Sequence, residues 1–234
     1  RLQRVGVDSP VPDDSIVVCS FGDASTNHAT ACASFNTTAM ITHQSLPCPI
    51  VFVCEDNGLG ISVRTPRKWV EDRFRADPWI SYFGADGLDI VAAYEAALDV
   101  VAHALHNRKP AFLHLKLVRL LGHAGSDVEQ LYRSTDEIVS AESKDPLITA
   151  ATLLVEGGWL SAAQVADLYE QARQTTDALA REAMSRPKLT TASEVMAPLG
   201  PLGPARVQAA ATSIHTNDEP AGPARPRQMA AQLN

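Results

Sequence analysis

Four short apolar runs separated by helical stretches constrain this chain most: SIVVCSF (residues 15–21), IVFV (50–53), YFGA (82–85) and AFLHLKLV (111–118). The runs are too short for buried helices, and the segments between them are long enough for crossover helices. That alternation predicts an α/β fold, a parallel sheet flanked by helices on both faces. The first run is largely apolar, as a strand covered on both faces should be. Residues 22–25 read as a turn into a helix reaching about residue 43, rich in small side chains such as Ala29, Ala31 and Ala33. Pro47 and Pro49 fix the entry to the second strand. A short charged helix is expected over 67–75. Asp89 reads as the N-cap of an amphipathic helix over 90–106, with Val91, Tyr94, Leu98, Val101 and Leu105 along one face.

Beyond the fourth strand the pattern changes. A polar loop spans 122–129, and helical segments follow, one opening at Asp145-Pro146 and one capped by Ser161 and running to about residue 185. From residue 198 onward Pro, Gly and Ala cluster with few large apolar residues, which predicts a linker or tail. The expected organisation is therefore one domain over 1–197 with a C-terminal helical segment, then a tail over 198–234. The first residues carry no initiating Met, which points to a fragment of a longer polypeptide. A net charge of −7 argues against nucleic acid or an anionic membrane surface as partner. Cys19, Cys32, Cys48 and Cys54 lack CxxC spacing and suit reduced thiols, hence a cytoplasmic setting.

The chemistry gathers where strands end. Asp23 follows the first run and Asn57 the second. If both runs are parallel neighbours, these side chains emerge side by side at the carboxyl edge, where open α/β sheets bind ligands. A carboxylate, an amide oxygen and a free backbone carbonyl suit magnesium, which completes its shell with phosphate oxygens. Taken singly, Asp23 also suits a helix cap and Asn57-Gly58 a simple turn. Ala24 and Ser25 stand where backbone N–H groups and the helix dipole favour a phosphate. Asn27 admits either an amide hydrogen bond to that phosphate or a solvent-facing role. Arg119 admits either charge pairing with a diphosphate or an ordinary ion pair at a strand end. His28, His43, His103, His106, His114 and His215 lack ligand spacing with carboxylates or cysteines and read as core or surface residues. No GxxxxGK[ST], GxSxG or HExxH occurs.

Gly22-Asp23 followed by Asp56-Asn57 is similar to the thiamine diphosphate motif, G-D-G followed further along by N-N. With GDASTNHATACASFNTTA, LPCPIVFVCEDNGLGISVRTP, GADGLDIVAAYEAALDVVAHA, KPAFLHLKLVRLLGHAGSD and LYRSTDEI, the chain resembles the alpha subunit, or alpha half, of thiamine-dependent 2-oxo acid dehydrogenases. GISVRTP and LYRSTDEI lean towards the branched-chain (2-oxoisovalerate) members. Ala24 replaces the motif's second glycine and Asp56 its first asparagine.

The resemblance implies a thiamine diphosphate-binding fold and oxidative decarboxylation of a small 2-oxo acid, with acyl transfer to a lipoyl group of a partner acyltransferase. It implies magnesium on Asp23, Asn57 and the carbonyl of Leu59. The cofactor would lie against Gly22, Asp23, Ala24, Ser25, Asn57, Leu59, Gly60, Ile61, Arg119 and His123. His123 would contact the diphosphate and face the active-site channel. A beta subunit or fused beta domain would complete the enzyme, normally as a heterotetramer, and the last residues, RQMAAQLN, resemble the opening of such a domain. Other expectations are a related thiamine diphosphate enzyme (acetoin dehydrogenase or transketolase-like) and a catalytically silent assembly module.

Overall fold

In a computed structural model of the chain, residues 14–199 are described, together with residues 12, 203, 205, 208 and 209. Most of the expected 198–234 tail, including His215 and RQMAAQLN, lies outside the described residues. The chain divides into two compact units, residues 1–170 and 171–234.

In the first unit, β1 (Val17–Gly22), β2 (Ile50–Asp56), β3 (Ser81–Asp86) and β4 (Ala111–Lys116) form a sheet in the order β1-β2-β4-β3. Every pairing is parallel, as the sequence alternation predicts. The connections carry α1 (Ala29–His43), α2 (Trp69–Phe74) and α3 (Ile90–Asn107). After the sheet come α4 (Thr135–Glu142), α5 (Pro146–Glu156) and α6 (Ala162–Ser185), in which the border between units falls. In the second unit, α7 (Ala192–Met196) opens on a capping box from Thr191 and Glu194.

Alternating strand residues feed two cores, one on each face of the sheet. Phe52, Cys54 and Phe112 pack against Phe35 of α1 and Val70 and Phe74 of α2. The Phe74 and Phe112 rings stack with centroids 3.9 Å apart. On the other face Val51, Ala111 and Leu113 pack against Val100 and Ala104 of α3. Helices therefore cover both faces, and the carboxyl edge of the strands is left for the loops.

Three local expectations need correction. The α3 stripe is not its core face: Val91, Tyr94, Leu98 and Val101 are exposed, Tyr94 at 64%. The helix approaches the sheet through small side chains, Ala96, Val100 and Ala104, which permit the closest contact. The first strand is not covered on both faces: Val17, Val18 and Cys19 are exposed, and β1 is also an edge strand of the described sheet. The α-helix after β1 also starts late. A single 3-10 turn spans Asp23–Asn27, and α1 begins at Ala29, where the His28 ring accepts the Thr30 N–H. Ala24 and Ser25 thus lie in that turn rather than in the first turn of α1.

Candidate functional site

Strand register brings the two halves of the site together. Gly22 pairs with Glu55, so Asp23 leaves β1 beside Asp56, one residue before Asn57. Asp23 is 1% exposed. Its Oδ2 accepts the Thr65 hydroxyl at 2.5 Å, and its carbonyl accepts the Thr26 hydroxyl at 2.7 Å. Burial pushes the Asp23 carboxyl above the ordinary range, and the nearby charge of Asp56 adds to that. A buried carboxylate with a second carboxylate beside it is a setting that a cation relieves.

The loop after β2 is folded tightly over this corner. Asn57 Oδ1 accepts the Leu59 N–H at 3.0 Å, and Asp56 Oδ1 accepts the Gly58 N–H at 3.0 Å. Gly58 has φ of +73°, a conformation that favours glycine. Gly60 donates to Val63 O at 2.7 Å, and Thr65 donates to Gly58 O at 3.1 Å, closing the loop on itself. A Cβ placed on Gly60 would lie 3.5 Å from the Ala24 methyl, an ordinary van der Waals distance, so the turn after β1 and the loop after β2 are close neighbours.

Arg119 ties this corner to the loop after β4. Its Nη1 donates to the carbonyls of Gly60 and Ile61 at 3.0 and 2.8 Å. Its Nη2 donates to the Tyr132 hydroxyl and lies 3.9 and 3.8 Å from Asp127 and Glu129. The ion-pair role considered for Arg119 is thus present. Its Nε is buried and has no hydrogen-bond partner among the described residues, a donor free to meet an anion. His123 sits exposed on the same loop, its N–H donating to Asp127 Oδ2 at 2.7 Å. Hydrogen bonds from Tyr132 and from that N–H hold the Asp127 carboxyl below its ordinary range. A cleft of about 390 Å³ is lined by Asn57, Leu59, Arg119 and Arg133, among others.

Gly22, Asp23, Ala24, Asn57, Leu59, Gly60, Ile61 and Arg119 therefore share one corner of the fold. Ser25 and Asn27 lie exposed on the adjoining turn. The His123 side chain makes no hydrogen bond to this group among the described contacts. Thr65 and His114 carry weight that the sequence does not signal. Thr65 bonds Asp23 from 42 positions away, and His114, read as an ordinary core or surface residue, bonds Asp56 from 58 positions away.

Among the described residues no three His, Cys, Asp or Glu side chains converge as metal ligands. A metal here would need amide and backbone oxygens beside Asp23, the hard donor set that magnesium accepts. The chain matches the family described as "Dehydrogenase E1 component" over residues 12–192. It belongs to the dehydrogenase E1 component family.

Similar curated proteins agree with that placement. This E1 component chain is 29% identical to the human "2-oxoisovalerate dehydrogenase subunit alpha, mitochondrial" over 177 residues, 74% of this chain and 39% of the relative. The Caenorhabditis elegans protein of the same description is 32% identical over 151 residues, 63% of this chain and 34% of the relative. The human "Pyruvate dehydrogenase E1 component subunit alpha, testis-specific form, mitochondrial" is 27% identical over 178 residues, 75% of this chain and 45% of the relative. The E1 component chain thus spans less than half the length of these relatives. No helix among its described residues is long and apolar enough to cross a membrane.

Proposed function

We propose that this chain is the diphosphate-anchoring part of a thiamine diphosphate- and magnesium-dependent enzyme that decarboxylates a 2-oxo acid and passes the acyl group to a lipoyl group of a partner acyltransferase. Branched-chain 2-oxo acids are the preferred substrates in this reading, which the 2-oxoisovalerate dehydrogenase relatives favour. One observation carries it: Asp23 and Asn57 leave adjacent parallel strands at one corner, with Asp23 buried beside Asp56.

The residues fit the cofactor. Asp23, the Asn57 side-chain oxygen and the Leu59 carbonyl would hold magnesium, and the unpartnered Arg119 Nε would meet phosphate charge. Backbone N–H groups of Ala24 and Ser25 would add donors to the diphosphate, with Gly22, Gly60 and Ile61 leaving it room. His123 is this chain's group for the diphosphate and the substrate channel. Bound thiamine diphosphate supplies the electron sink for loss of carbon dioxide. The chain's own work is to neutralise, orient and enclose. A beta subunit or fused beta domain would complete the active site.

Calorimetry on the full-length protein with its beta-type partner tests this reading. Thiamine diphosphate should bind with MgCl2 and lose that binding in EDTA. Decarboxylation should be faster with 2-oxoisovalerate than with pyruvate or 2-oxoglutarate. Absence of magnesium-dependent binding would identify a silent assembly module, and a preference for pyruvate would overturn the substrate assignment.

A further inference from the structure

Tyr82, His114 and Asp56 form a line of hydrogen bonds across three strands, and beyond the charge that Asp56 sets beside Asp23 none of them has been given a task. Tyr82 Oη lies 2.7 Å from His114 Nδ1, and His114 Nε2 lies 2.7 Å from Asp56 Oδ2. His114 is 1% exposed, so water cannot readily replace either partner. A neutral imidazole that donates from Nε2 to the carboxylate and accepts the phenol at Nδ1 satisfies all three groups.

The strands are shaped to permit this line. His114 on β4 pairs with Gly84 on β3 and with Cys54 on β2, placing the imidazole between its two partners. A Cβ on Gly84 would stand 3.0 Å from Tyr82 Oη and 3.1 Å from its Cε1. The missing side chain at Gly84 is what lets the phenol lie over that strand and reach the imidazole. The Arg75 guanidinium sits over the Tyr82 ring, 5.0 Å from its centroid.

The far end of the line is the turn that carries Asn57. While Oδ2 of Asp56 is held by His114, its Oδ1 accepts the Gly58 N–H at 3.0 Å. The Asp56 carbonyl accepts the Leu117 N–H at 2.7 Å. Asn57 therefore sits between two residues whose positions depend on one carboxylate, and that carboxylate is oriented by a buried ring.

We propose that Tyr82, His114 and Asp56 are positioning residues that hold the Asn57 turn in the shape its side-chain oxygen and the Leu59 carbonyl need to serve a divalent cation bearing a diphosphate. The inference rests on the cofactor reading above. It gives Asp56, a departure from the N-N motif, a role of its own: it works with His114 as a pair. Residues that orient metal ligands typically change metal affinity by about 10–100-fold when removed.

The test uses the full-length protein with its partner, titrated with thiamine diphosphate at several MgCl2 concentrations. Thermal midpoints of the ligand-free proteins are measured in parallel. Asp56→Ala should raise the magnesium concentration needed for half-maximal binding about tenfold. Asp56→Asn should restore most of that loss, because its Oδ1 still accepts from Gly58 and its Nδ2 donates to a tautomerised His114. Tyr82→Phe keeps the ring packing and removes one hydrogen bond, so a smaller loss of about threefold is expected. His114→Leu should match Asp56→Ala; if it does not fold, the Asp56 and Tyr82 variants still decide.

Equal losses in Asp56→Asn and Asp56→Ala would show that charge alone matters, and would overturn the proposal. So would variants with lowered thermal midpoints and unchanged magnesium dependence. If the unsubstituted protein shows no magnesium-dependent binding, the cofactor reading falls and takes this inference with it; variants that bind like an active parent overturn this inference alone.

Discussion

Asp23 is under opposing demands. Burial and the neighbouring Asp56 disfavour its charge, while the Thr65 hydroxyl and local backbone N–H groups favour it. A side chain kept in so costly a setting is a candidate for function rather than for stability. Asp23→Asn should therefore abolish magnesium-dependent thiamine diphosphate binding, a loss of at least about a hundredfold, and leave the ligand-free thermal midpoint equal or higher. A fall in that midpoint with binding intact would make Asp23 a structural residue. The pairing of Asp23 with Asn57 is legible in the sequence, because parallel strands bring their carboxyl ends together whatever lies between them. Thr65 and His114 are not legible: their partners lie 42 and 58 positions away, and neither contact leaves a local pattern. Arg119 is half legible; its charge at a strand end is visible, but its grip on the Gly60 and Ile61 carbonyls is not.

Between residue and molecule stand the elements, and the loop after β4 is the one most exposed to conditions. Asp127 accepts from the His123 N–H and from the Tyr132 hydroxyl, and Arg119 lies against it. These hydrogen bonds lower the Asp127 carboxyl below its ordinary range. A depressed carboxyl pKa contributes order above the unfolded value, and that contribution is lost as pH falls through the folded value. The loop should accordingly loosen on the acid side of the ordinary carboxylate range, well before the sheet is affected. Limited proteolysis between residues 120 and 132 should accelerate there, and Asp127→Ala should show several-fold faster cleavage already at neutral pH. Cleavage that is independent of pH and of this substitution would remove Asp127 from the loop's support. Apart from the late start of α1, strand and helix boundaries follow the sequence expectation closely because the apolar runs are short and well punctuated. The orientation of α3 does not, since helix periodicity reports an apolar stripe without saying whether Val91 and Tyr94 or Ala96 and Val100 meet the sheet.

At the scale of the molecule, order is unevenly distributed. The first unit holds both cores, with Phe112 and Cys54 fully buried and Phe52 nearly so. In the second unit every described residue of 171–199 is exposed. A helix without a buried face draws on propensity and side-chain pairs such as Arg173–Asp177 and Arg186–Glu182. Such pairs contribute only about 0.3–0.5 kcal/mol each. Opening the β2–β4 ladder, by contrast, exposes aromatic side chains from α1, α2 and two strands at once. Hydrogen exchange on the isolated chain should therefore show slow amides in β2 and β4, at the level of global unfolding, and amides of residues 171–185 exchanging faster by several orders of magnitude. Thiamine diphosphate with MgCl2, added to the protein with its partner, should extend protection to residues 56–65 and 119–127, where the candidate site lies. Protection that appears only in the second unit would mean that the ligand binds elsewhere, and the corner built by Asp23, Asn57 and Arg119 would lose its claim.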